Sequence, residues 1–153
     1  MRAVNRSSIA FVIASLAVCF AGCTTTQHSI LISDDHGLSQ RELSSVLAEN
    51  PIRAGENIRV SLLRKSDHAS VHVVQVRHGE IPHVHQTHDL TVFVVRGNGE
   101  MTAEHTTKLV HEGDVIHVPA GARHYFVNKG SSIAVAVVVF SPPFDGQDTK
   151  PVE

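Results

Sequence analysis

The stretch GDVIHVPAGARHYFVN, residues 113–128, has the pattern of a strand, a tight turn and a second strand. Residues 114–118 and 124–128 are rich in β-branched and aromatic side chains, which favour strands. Pro119 and Gly121 lie between the two segments and are residue types that form turns. The stretch therefore predicts two short strands, with the turn sending the chain back and setting the direction in which His124 faces.

The same pattern continues on both sides of this stretch. Short β-rich segments, many of them alternating, recur at residues 58–62, 69–76, 90–95, 100–103, 107–110 and 132–140. Turn residues separate them, including Gly79, Gly97, Gly99 and Gly130. Seven or more short strands at fairly even spacing predict an all-β sandwich or barrel. The chain of 153 residues has the length of one domain.

A short helix is expected ahead of these strands, over residues 38–51. Ser39 and Glu42 have the spacing of a capping box. Leu43, Val46 and Leu47 repeat at helical spacing, and Pro51 closes the segment. Residues 52–144 are then the barrel domain, and residues 145–153 form a tail that wraps the surface or frays.

The N-terminus has the layout of a secretory signal peptide. Arg2 and Arg6 precede an apolar run at residues 9–20, and small residues lead to Cys23. This ending is similar to the lipobox of bacterial lipoproteins, with Phe20 where an aliphatic residue is usual. Residues 1–22 are predicted to be a lipoprotein signal peptide, with Cys23 lipidated and residues 23–37 a polar tether. The alternatives are an ordinary cleaved signal and an uncleaved anchor.

Charge and cysteine content narrow the classes of partner. The formal charge is −2 and no basic run is present, which argues against nucleic acid as a partner. Cys19 would leave with the signal and Cys23 would carry lipid, so disulfides are excluded and a metal site must use nitrogen and oxygen ligands. The expected location is the bacterial cell envelope, lipid-anchored, facing the periplasm or the surface, with Thr24 favouring the outer membrane.

Two stretches resemble the signature motifs of the cupin family. Residues 79–97 resemble the first motif, with His83-x-His85 and a closing Gly97. Residues 113–128 resemble the second motif, which has fixed positions at Gly113, Pro119, Gly121, His124 and Asn128. The resemblance covers roughly residues 58–140. With the helix, it gives an expected all-β fold: a single jelly-roll β-barrel preceded by a short α-helix. It also implies a homodimer.

The resemblance implies a metal inside the barrel. In cupins the His-x-His pair, a glutamate of the first motif and the histidine of the second motif bind a divalent metal. Here the implied ligands are His83, His85 and His124. A strand places residues i and i+2 on one face, so His83 and His85 point the same way, about 7 Å apart along the strand. Imidazole ligands are compatible with Fe, Zn, Cu or Ni, and together with oxygen donors also with Mn.

The first motif departs from the family at its glutamate position. The family spacing reaches Asp89 or Leu90, and Leu90 is preferred because it shares one apolar face with Val92 and Val94. The carboxylate ligand is then missing. His88 could supply a fourth ligand, and Asp89 could do so only if the strand is shifted or bulged.

Three functions are compatible with such a barrel. The first is a metal or small-molecule binding module without turnover. The second is a metal-dependent oxygenase or isomerase acting on a small molecule in the periplasm, with open coordination positions on a three-histidine metal. The third is a structural or sensory envelope protein with an empty barrel.

Overall fold

The computed structural model describes residues 28–152 of the chain. Their elements, in chain order, are β1 (Ser29–Asp34), β2 (Gly37–Glu42), α1 (Leu43–Glu49), β3 (Ile58–Lys65), β4 (Ser70–Val76), β5 (His83–His85), β6 (Asp89–Arg96), β7 (Asn98–Ala103), β8 (Thr106–His111), β9 (Val115–Val118), β10 (His124–Asn128), β11 (Ala134–Ser141) and β12 (Thr149–Pro151).

Two five-stranded antiparallel sheets form the barrel. Sheet one has the order β12-β5-β10-β7-β8, and sheet two has the order β3-β4-β11-β6-β9. From β4 to β12 the chain changes sheet at every connection except the β7–β8 hairpin. This alternation is the topology of a jelly roll. The expected all-β jelly-roll fold is therefore confirmed.

The main core lies between the two sheets. Sheet two contributes Val74, Leu90 and Phe140, and sheet one contributes Met101 and Val110. The alternation of the strands explains this placement, because every second side chain of a strand faces the same side of its sheet. Burial of these apolar side chains holds the two sheets together.

A second cluster lies outside the barrel, where α1 packs against sheet two. Leu43 and Val46 of the helix contact Val73 of β4 and Val135 of β11. Val73 and Val135 are almost fully buried, on the face of their strands that points away from the main core. Helix α1 therefore covers one outer face of the barrel.

The predicted helix over residues 38–51 is wrong at its N-terminal end. Leu38–Glu42 belong to β2, and the helix spans only Leu43–Glu49. Ser39 does not cap it, because its hydroxyl donates to the carbonyl of Ile32 across the β1–β2 hairpin. Glu42 is the N-cap residue and makes no side-chain capping bond. The pairing of β1 with β2 thus replaces the first turn of the predicted helix.

Two predicted connecting segments also contain strands. The predicted polar tether over residues 23–37 contains β1 (Ser29–Asp34). The tail over residues 145–153 contains β12, which pairs with β5. The signal peptide at residues 1–22 and the lipidation site at Cys23 lie outside the described residues. Among residues 28–152, no helix has the length and apolar character needed to cross a membrane.

Candidate metal centre

Three histidines meet on neighbouring strands of sheet one. His83 and His85 lie on β5, and His124 on β10 is the direct cross-strand partner of His83. All three side chains are buried. Their ring centroids are 4.3 Å apart for His83 and His124, 5.2 Å for His83 and His85, and 5.5 Å for His85 and His124. The structure therefore brings the three predicted ligands together.

The nitrogen atoms of the three rings are close enough to share one ion. One ligand atom from each histidine lies within 4.8 Å of those of the other two. His83 donates from Nδ1 to the carbonyl of Ile81 at 2.8 Å, and His124 donates from Nδ1 to the carbonyl of Ala122 at 2.9 Å. A backbone bond at Nδ1 fixes the tautomer and leaves the Nε2 lone pair free, as in many metal-binding histidines.

His85 is the histidine without such a backbone bond. Its Nδ1 atom is buried and has no hydrogen-bond partner among the described residues. Burial, together with the nearby imidazoles of His83 and His124, lowers the pKa of His85 to about 4. Burial also lowers the pKa of His124. Both rings are therefore neutral near pH 7, which is the state that binds a metal.

The residues considered for the fourth ligand do not join this cluster. Leu90 faces the barrel core, in agreement with its predicted place on the apolar face. Asp89 is exposed and accepts a hydrogen bond from the backbone N–H of Ala120. His88 is buried, with its ring centroid 6.4 Å from that of His85, but its Nδ1 pairs with Asp148 Oδ2 at 2.6 Å. None of the three belongs to the group of atoms that could share one ion.

Glu80 places a carboxylate beside the site, and no sequence pattern predicted it there. It lines the same cavity as the three histidines, and its Oε2 accepts from the backbone N–H of Phe126 at 2.9 Å. Burial raises the pKa of Glu80, although the nearby His83 opposes that effect. Glu80 lies three residues before His83, outside β5, so the period-two pattern of the strand gave no signal for it.

His72, on β4 of sheet two, is a further buried histidine. Its Nε2 lies 2.8 Å from Ser70 Oγ, and its ring makes edge contacts with Phe140 and Phe144. His117 is exposed on β9. Neither histidine belongs to the three-histidine group.

A cavity of about 460 Å³ opens beside the three histidines. Seventeen of its 23 lining residues are aliphatic residues, methionine or phenylalanine. Within residues 28–152, no lysine or arginine lines it. Ile81 and Val60 line it and are also largely exposed, so apolar side chains connect it with solvent.

The C-terminal segment of residues 141–152 closes one side of this site. Thr149 of β12 pairs with His85, and the ring of Phe144 lies 5.6 Å from the ring of His85. Asp148 accepts hydrogen bonds from the backbone N–H of Thr87 and from His88. Burial raises the pKa of Asp148, but these two hydrogen bonds outweigh burial and hold that pKa well below its usual range.

Comparisons with known proteins agree with this architecture. The model of the cupin domain matches residues 70–140, which include all three histidines. An uncharacterized protein of Aquifex aeolicus is 39% identical over 98 residues, and the match covers 64% of this chain and 80% of the relative.

Solved structures show the same fold. An uncharacterized conserved protein of Klebsiella pneumoniae with a double-stranded β-helix domain has a TM-score of 0.59 at 20% identity, covering 70% of this chain and 94% of its own. Streptomyces PAC13 with uridine, a nucleoside dehydratase, has a TM-score of 0.54 at 25% identity, covering 63% of this chain and 79% of its own. The chain therefore contains a cupin domain over residues 70–140, and its jelly-roll topology is the fold of these solved structures.

Proposed function

We propose that this protein binds one divalent metal through His83, His85 and His124. The observation that carries the proposal is the buried group of three imidazoles whose ligand atoms lie within 4.8 Å of one another. The backbone bonds at Nδ1 of His83 and His124 orient their Nε2 atoms as ligands. Fe, Zn, Cu and Ni are compatible with this donor set, and Mn is compatible with it when oxygen donors complete the site.

The bound metal would supply a Lewis acid with open coordination positions at the wall of the cavity. The protein supplies three imidazole nitrogen ligands and a largely apolar space of about 460 Å³ beside them. This arrangement supports a binding module for the metal and a small molecule. The second candidate is a metal-dependent oxygenase or isomerase, which the buried carboxyl of Glu80 in the same cavity favours because it can exchange a proton with a bound molecule.

Attachment to the bacterial envelope through Cys23 is a separate part of this proposal. It rests on the basic start, the apolar run at residues 9–20 and the small residues before Cys23. The lipid would hold the barrel at a membrane, facing the periplasm or the surface, with the outer membrane favoured. Replacing Cys23 with serine should release the protein from the membrane fraction, and the lipid should be absent from its mass spectrum. A homodimer stays a prediction.

The metal site is tested by elemental analysis of the full chain, purified without a histidine tag. We expect about one equivalent of a single metal in the wild type and its loss in His124→Ala. His117→Ala is the matched control, because His117 is an exposed strand histidine outside the site. Full metal content in a folded His124→Ala variant would exclude the proposed ligand set.

The identity of the metal then separates the binding module from the enzyme. Iron directs the next experiment to oxygen uptake with small molecules, and zinc or copper directs it to binding and buffering measurements. Turnover that disappears in Glu80→Gln, with metal content unchanged, would establish the enzyme.

A further inference from the structure

We infer that the molecule held in the cavity is amphipathic: a compact apolar body carrying one polar head that binds the metal. This inference rests on the proposed metal site and specifies the class of its ligand. It follows from the unequal distribution of polar and apolar side chains over the two walls of the cavity.

The polar wall belongs to sheet one. His83 and His85 of β5, His124 of β10 and Thr149 of β12 line the cavity from this sheet, and Glu80 lies just before β5. Because β12, β5 and β10 are adjacent strands, these groups form one patch. A head at this patch meets the metal ligands and can exchange a hydrogen bond with the carboxyl of Glu80.

The opposite wall belongs to sheet two and is apolar throughout. Every cavity-lining residue from β3, β4, β6, β9 and β11 has a hydrocarbon side chain; examples are Val60, Val74, Val92, Ile116 and Val138. A hydroxyl placed against this wall would lose its bonds to water and find no side-chain partner, at a cost comparable to that of an unsatisfied buried polar group. A molecule with polar groups on all sides is therefore disfavoured.

The volume of the cavity and the charge of its lining narrow the class of ligand further. A volume of about 460 Å³ is within the range of roughly 300–1,000 Å³ that is typical of small-molecule sites. The wall has no lysine or arginine among residues 28–152 that could bind a remote anionic group. The ligand is thus a small molecule whose polar atoms are confined to the metal-binding end, in contrast to the uridine that the Streptomyces relative is seen with.

The test uses straight-chain hydroxamic acids, which share one chelating head and differ only in their alkyl tails. Titration calorimetry on the metal-loaded full chain compares acetohydroxamic, hexanohydroxamic and octanohydroxamic acid. We expect affinity to rise roughly threefold or more for each added methylene, as for transfer of a methylene from water to an apolar site. Equal affinities across the series would overturn the inference, as would displacement of octanohydroxamic acid by uridine at equal concentration.

A variant of the apolar wall tests the location of the tail. Val92→Thr changes shape little and adds one hydroxyl to the wall of sheet two, so we expect weaker binding of octanohydroxamic acid and unchanged binding of acetohydroxamic acid. The metal content of the variant shows that its site is intact. Unchanged binding of both acids would place the tail elsewhere and overturn the inference.

A second measurement separates this inference from the metal proposal. N-phenyl-1-naphthylamine is a neutral, apolar fluorescent probe that needs no metal. We expect it to bind His83→Gln/His85→Gln saturably and to be displaced by n-octanol. Such binding supports the apolar site even if no metal is found in the wild type. A folded protein that fails to bind the probe would overturn the inference and leave the metal proposal standing.

Discussion

At the scale of single residues, local geometry explains which site residues could be predicted. His83 and His85 share a face because strand side chains alternate, and the turn through Pro119 and Gly121 brings His124 beside them. The contacts of His88 and Glu80 could not be read in this way. His88 pairs with Asp148, which lies 60 positions away, and the backbone that bonds Glu80 lies 46 positions away. The periodicity of a sequence gives no information about contacts between residues that are so far apart in the chain.

His72 gives a pH prediction that does not involve the metal site. Burial and the nearby Lys65 lower the pKa of His72 below its usual value of 6.5. The unfolded chain then binds more protons than the folded chain just below pH 6.5, so the free energy of unfolding should fall as the pH drops through that range. In metal-free His72→Gln the free energy of unfolding should depend less steeply on pH than in the metal-free wild type. Urea denaturation between pH 7 and pH 5 measures this difference.

The matched control for this prediction is His117→Gln, which changes an exposed histidine on β9. It should keep the pH dependence of the wild type, because His117 lacks the burial that lowers the pKa of His72. If His72→Gln and His117→Gln give the same slope as the wild type, His72 does not contribute to the acid sensitivity.

At the scale of elements, the pairing of β1 with β2 overrode the local helix propensity of one segment. The apolar spacing of Leu43 and Val46 correctly indicated a helix, and both side chains pack on the barrel. Leu38–Glu42 also carry helix signals, but they pair residue by residue with Ser29–Ser33. A helix of seven residues is marginal on its own, so tertiary contacts set its limits. Local spacing predicted the helix, but it gave no information about the pairing of β2 with β1 that shortened the helix.

The C-terminal segment of residues 141–152 is expected to depend on Asp148 for its attachment to the site. Asp148 holds this segment on the site through Thr87 and His88, and its side chain is largely buried. Asp148→Asn removes the charge from both hydrogen bonds, so it should destabilise the protein by roughly 1–3 kcal/mol. Hydrogen exchange should be faster at Val152, whose N–H bonds the carbonyl of Pro82.

Asp145→Asn is the control within the same segment. Asp145 is exposed, and its carboxylate accepts a hydrogen bond from the nearby backbone N–H of Gln147. It should leave both the unfolding free energy and the exchange at Val152 unchanged. Equal effects of the two substitutions would show that Asp148 has no special role in holding the segment.

At the scale of the whole molecule, the positions of most barrel strands were predictable and their order was not. Turn residues between short alternating segments indicated a barrel, because local chemistry marks where a strand ends. The arrangement β3-β4-β11-β6-β9 joins strands that are far apart in the chain. Such an order depends on which faces can be buried together, and only the resemblance of two motifs to a known family indicated it beforehand.

The last prediction is that the barrel folds without its metal. Both described apolar clusters consist of side chains other than histidine, so the core does not need the ion to form. Metal-free wild type should therefore unfold cooperatively in urea, as followed by circular dichroism, and His83→Gln/His85→Gln should retain that cooperative transition. Adding metal at 100 times its dissociation constant should stabilise only the wild type, by about 2.7 kcal/mol. An unfolded metal-free wild type would instead mean that the ion holds the two strands of the site together, as in small domains whose folding depends on a metal.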